Sequence, residues 1–86
     1  MDKLRNRFGK WACACCRNFT ISQIHDTCPV CFWEEDFYQE SDLFDSGGPN
    51  LVCLIEAKEN FGKFGASEVD FVGLVRKPTS DEQIST

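Results

Sequence analysis

Apolar positions in this chain come in short bursts separated by polar stretches. Leu4 and Phe8 stand in an otherwise polar leader over residues 1–10, as candidate anchors, and Gly9 stops any helix that starts there. Phe19-Thr20-Ile21 is a β-prone run, and Ile24 to Thr27 reads as its return strand, with the turn at Ser22-Gln23. Phe32-Trp33 is the next burst, expected to form core. Residues 37–50 are polar and acidic, and Ser46-Gly47-Gly48-Pro49-Asn50 breaks the chain. Beyond it, Leu54, Ala57, Phe61 and Phe64 recur at helical spacing, with Gly65 at the expected left-handed stop. Glu56 lies three residues after Cys53, which makes Cys53 a weak helix cap and a buried, inert thiol. Ser67 as cap with Asp70 three residues on predicts a short helix over 68–75, although Val69, Phe71, Gly73 and Val75 also alternate as a strand would. Pro78 ends that element, and residues 79–86 read as a flexible tail.

The cysteines change this picture. Cys13-Ala14-Cys15-Cys16 and Cys28-Pro29-Val30-Cys31 place two Cys-x-x-Cys pairs within nineteen residues. Each pair offers two sulfurs from one tight turn, and two pairs complete the tetrahedron that zinc prefers. The expected site is one structural zinc held by Cys13, Cys16, Cys28 and Cys31. The competing reading is a disulfide framework, which needs an oxidising compartment. Residues 1–8 contain no apolar run of signal-peptide length, so a cytoplasmic location is expected. No stretch approaches the roughly 18 apolar residues of a membrane span.

These features predict a small α+β zinc-bound domain: a zinc-ribbon-like β-hairpin with two Cys-x-x-Cys knuckles, followed by one or two short helices. Residues 11–78 form the single domain, divided into a zinc half (11–36), an acidic loop (37–50) and a helical half (51–78). Eighty-six residues make a thin core, which a metal staple compensates.

Charge separates the function classes. The net charge is −5, and Lys3, Arg5, Arg7, Lys10 and Arg17 all lie near the start. From Asn18 to Ala57 there is no Lys or Arg, while Asp26, Glu34, Glu35, Asp36, Glu40, Asp42, Asp45 and Glu56 fall in that span. Nucleic-acid surfaces are basic, so an acidic one argues for a basic protein partner, while the basic N-terminus alone keeps a nucleic-acid-binding zinc ribbon as an alternative. The expected partner surface carries Glu34, Glu35, Asp36, Glu40, Asp42 and Asp45. Phe37, Tyr38 and Phe44 lie among them, either as apolar anchors for the partner or folded back on the core. The plain alternative is that these charges only solubilise a small domain.

An enzyme is not expected. Hydrolytic zinc needs an open coordination position, and four knuckle cysteines leave none. The single histidine, His25, belongs to no recognisable catalytic spacing and reads as a surface residue. Cys15 and Cys53 fall outside the four-ligand set. They leave room for a thiol redox or metal-handling role, with Cys15 able to exchange for Cys16.

These residues together resemble the cysteine-rich CPCC domain family of small bacterial proteins. The resemblance is carried by Cys13-Ala14-Cys15-Cys16, Cys28 to Asp36, Gly47 to Asn50, Glu56 to Phe61 and Phe64-Gly65-Ala66. It spans about Trp11 to Pro78. Ala14 and Arg17 stand where the family's first knuckle has Pro and Gly, and Cys53 stands at its helix-capping Ser. Arg17 thus falls where a left-handed turn is expected and a Cβ costs roughly 1 kcal/mol. The resemblance implies a zinc-stabilised fold and a toxin-immunity or antitoxin role.

Overall fold

The computed structural model describes residues 4–83. Five short elements follow in order: β1 (Trp11–Ala12), β2 (Phe19–Ile21), α1 (Phe37–Ser41), α2 (Leu54–Phe64) and the 3₁₀ turn Val69–Leu74; a second 3₁₀ turn spans Ser80–Glu82. Strands this short do not hold themselves. They are joined by the turns between them, and those turns are the cysteine knuckles.

β1 and β2 pair antiparallel, Trp11 with Ile21 and Ala12 with Phe19, with an irregularity in register at Trp11/Ala12. This corrects the expected hairpin. The partner of Phe19–Ile21 precedes the first knuckle; it is not Ile24–Thr27. The reason lies in the knuckle. Arg17 N donates to Cys13 O at 2.8 Å and Cys13 N to Asn18 O at 2.8 Å, so residues 13–18 reverse the chain themselves. The second knuckle repeats this: Phe32 N donates to Cys28 O at 2.8 Å and Cys28 N to Trp33 O at 2.9 Å, inside an isolated Thr27–Glu34 bridge. Residues 22–26 form a separate turn, where Asp26 Oδ2 accepts from Ser22 N at 2.9 Å and Gln23 N at 3.2 Å.

The core contains Trp11, Cys13, Cys15, Ile21, Cys28, Val30, Cys31, Trp33, Leu54 and Ala57. α2 contributes Leu54 and Ala57 to it, with Phe61 packed alongside and Phe64 exposed. Gly65 ends α2 at φ 82°, its N–H bonded to Phe61 O, as the expected left-handed stop. Cys53 precedes α2 as its cap but makes no side-chain cap bond, and it is half-buried instead of buried.

Residues 37–50 are not wholly loop. Asp36 Oδ2 accepts from Gln39 N at 3.0 Å, and Glu40 Oε2 accepts from Asp36 N at 2.9 Å, so caps build the five-residue α1. Gln39 is fully buried and anchors the following loop. Its amide Nε2 donates to Asp45 O, Asn50 O and Val52 O, and its Oε1 accepts from Asn50 N and Nδ2. A polar side chain thus pins a segment with little apolar content, and Asn50 links the loop on to Glu34 N and O.

Val69–Leu74 is helical, as a 3₁₀ turn, but Ser67 is not its cap; Glu68 holds that position. Ser67 is buried, donates its N–H to Cys31 O at 2.7 Å, and its Oγ has no hydrogen-bond partner among the described residues. Part of the expected tail is ordered. Thr79 and Glu82 form a capping box around Ser80–Glu82, and Arg76 pairs with Glu82 at 2.8 Å. Residues 84–86 lie outside the described residues, as do residues 1–3, including Lys3 of the expected leader. Within the leader, Leu4 and Phe8 are exposed and anchor nothing; Asn6 shapes the turn by accepting from Phe8 N and Lys10 N. Among the described residues no helix is long and apolar enough to cross a membrane.

Candidate metal centre

Both knuckles end in a left-handed residue, Arg17 at φ 69° and Phe32 at φ 71°. The backbone therefore takes the turn although neither residue is glycine. Matching turns aim Cys13 and Cys16 toward Cys28 and Cys31. The four sulfurs all lie within 4.8 Å of one another and can hold a metal ion. Two edges cross between knuckles: Cys13 Sγ to Cys31 Sγ at 3.5 Å, and Cys16 Sγ to Cys28 Sγ at 3.7 Å. Thiolates about 2.3 Å from one tetrahedral ion are about 3.8 Å apart. The set fits such an ion on distance and on donor chemistry, since four sulfurs suit zinc or iron.

Three of the four cysteines are buried, and Cys16 is partly open. Thr20 Oγ1 donates to Cys28 Sγ at 3.0 Å and Val30 N to the same sulfur at 3.4 Å. These donors stabilise negative charge on sulfur and fix its orientation. The four thiols compete for protons. Hydrogen bonding to Cys13 holds Cys16 and Cys28 below the ordinary thiol range. Cys13 is raised chiefly by its bond to Cys16, and Cys31 chiefly by its bond to Cys13. With a divalent cation bound, all four are thiolates. Cys15 lies in the core and is not one of the four clustered cysteines.

The six carboxylates expected on one partner surface divide. Glu35 and Asp36 are 4% and 7% exposed, and this removes them from that surface. Glu35 Oε2 accepts from Trp11 Nε1 at 2.8 Å, and Asp36 caps α1. Glu40 is half-buried; its Oε2 accepts from Trp33 Nε1 at 3.0 Å. Burial pushes Glu40 up to about 7, against the bonds from Trp33 and Asp36, and its hydrogen bond with Glu35 raises it further. Glu35 and Glu40 are thus neighbouring acids, each accepting from a tryptophan indole N–H. Glu34 is half-buried with Oε2 3.5 Å from His25 Nδ1. Asp42 is exposed and Asp45 half-exposed; each accepts a backbone N–H two residues on, from Phe44 and Gly47. Beside them Phe37, Tyr38 and Phe44 are 66%, 75% and 76% exposed, so they point outward instead of folding back on the core.

Sequence reasoning passed over Thr20, Gln39 and Asn50. Thr20 carried a signal, one polar residue in a β-prone run beside the knuckle. Asn50 carried one too, after Gly-Gly-Pro. Gln39 carried none, because only its non-local partners make it central.

The chain matches none of the curated proteins with which it was compared. The model of the family described as cysteine-rich CPCC matches residues 11–82, from the first strand through both knuckles to the last 3₁₀ turn. The knuckles, the sulfur cluster and this match over most of the chain agree, and the protein belongs to the cysteine-rich CPCC family.

Proposed function

We propose that this protein is a non-enzymatic, zinc-stabilised module that binds a basic protein, and that its specific role is immunity against, or neutralisation of, a basic toxin domain. The observation that carries the reading is the outward face around α1. Phe37, Tyr38 and Phe44 stand exposed, with Asp42 and Asp45 beside them, in a span free of Lys and Arg from residue 18 to 57. Phe37 and Tyr38 meet edge to face at 5.6 Å, which keeps two rings presented together. Aromatic anchors supply the desolvated contacts, and the surrounding acids speed encounter with a cationic surface. The zinc supports the fold and takes no part in chemistry, since four thiolates fill a tetrahedral ion.

The test is affinity capture from the native host on the metal-loaded full chain, followed by association kinetics at low and high salt. A basic protein is expected, associating faster at low salt. Replacing Asp42 and Asp45 together by Lys should slow association about tenfold. Replacing Phe37 and Phe44 by Ala should speed dissociation. Capture of nucleic acid held through Arg5 and Arg7, or rates indifferent to these changes, overturns the reading.

A further inference from the structure

A second feature is a groove bordered by Glu34. A groove of about 360 Å³ elsewhere carries cations on its rim, but one of about 300 Å³ is lined by Thr27, Phe32, Glu34, Leu51, Glu68 and Phe71 and has none. Phe32 and Phe71 meet there at 4.7 Å with planes tilted 46°, and both rings are half-exposed. Phe32 occupies a left-handed position, φ 71°, where a side chain costs strain that a glycine would avoid. That strain places an aromatic ring in the groove. Two carboxylates, Glu34 and Glu68, flank the rings. Burial raises the Glu68 carboxyl, and the nearby Asp70 and Glu56 carboxylates raise it further, against a hydrogen bond from the Leu51 backbone.

We infer that this groove is a receptor for an arginine side chain of the basic protein partner. A guanidinium stacks on aromatic faces and engages carboxylates bidentately, so it satisfies both kinds of lining at once. A lysine ammonium matches the acids and is drawn to a ring as a point charge, but it has no plane to stack on the rings and no fork to engage a carboxylate bidentately. Leu51, 78% exposed at the edge, gives the aliphatic stem of an arginine a surface to cover. The assignment deepens the proposed partner reading and rests on it for its biological setting. The groove's chemistry can be measured without any partner.

The probe is N-acetyl-arginine amide, titrated into the metal-loaded full chain and followed by amide chemical shifts. Saturable shifts are expected at Leu51, Glu68 and Phe71. N-acetyl-citrulline amide, equal in shape and uncharged, should shift none of them. Glu68→Gln and Phe71→Leu should each weaken arginine binding about three- to fivefold. Glu59→Gln, an equal loss of charge outside the groove, should leave it unchanged. Retained metal and amide dispersion establish that each variant is folded. Equal response to citrulline, unsaturable shifts spread over all acids, or equal loss in Glu59→Gln would overturn the assignment. A captured basic partner with no arginine response overturns the groove alone. Saturable arginine binding with no captured partner upholds the groove and overturns the partner reading.

Discussion

Glu40 is the residue whose charge is most finely balanced. Its carboxyl is pushed up to about 7 from an ordinary 4.5, first by burial, and its bond to Glu35 adds to the shift. The folded state therefore holds a proton that the unfolded chain has released across that window. The stabilisation from this proton is fully present below about 4.5 and is lost as pH rises through about 7. Glu40→Gln keeps an oxygen for Trp33 Nε1 and Asp36 N and removes the titration. Its stability relative to the parent should grow between about pH 5.5 and 8, by on the order of 1–2 kcal/mol once solvent screening at this half-buried site is allowed for. Denaturant unfolding of the two metal-loaded proteins across that range checks this. A difference independent of pH would mean that Glu40 is ionised throughout.

At the level of elements, the five-residue α1 is too short to stand alone. It holds because Gln39 reaches into the loop that follows and satisfies that loop's backbone. Gly48 closes over this side chain: a Cβ there would sit 2.6 Å from Gln39 Cγ. Gly48→Ala should therefore cost about 1–3 kcal/mol, as overpacked sites do. Gly62, inside α2, meets nothing within 4 Å of an added Cβ. Gly62→Ala should stabilise by about 0.5–1 kcal/mol through helix propensity. Thermal unfolding of the two variants should move in opposite directions. A neutral Gly48→Ala would show that the loop yields easily around Gln39.

Across the whole molecule, the clustered cysteines belong to the same core as Ile21 of β2 and Leu54 and Ala57 of α2, so a metal ion held there would fasten both knuckles to that core. Purified protein should carry about one zinc per chain, and chelation should abolish amide dispersion, since binding energy here is folding energy. Cys28→Ser should lose the metal and the fold together. Cys53→Ser should keep both, because Cys53 lies outside the cluster and its cap position is better served by a hydroxyl. Elemental analysis and amide spectra decide this. A dispersed spectrum after chelation would show that the apolar core alone suffices, and iron in place of zinc would change the ion without moving the ligands.

The four clustered cysteines, the α2 face with its Gly65 stop and the acidic character of residues 18–57 were all legible in the linear order of residues. Each rests on spacing or composition within one turn or one segment, and local chemistry of that kind survives folding unchanged. The hairpin partner, the role of Gln39 and the direction of each carboxylate were not legible. Glu34, Glu35 and Asp36 are adjacent and chemically alike, yet one borders a groove, one bonds Trp11 and one caps a helix. Their fates diverge because successive side chains point different ways, and what each meets comes from residues far along the chain. Burial then sorts them, since a carboxylate leaves water only where donors such as an indole N–H or a helix start await it.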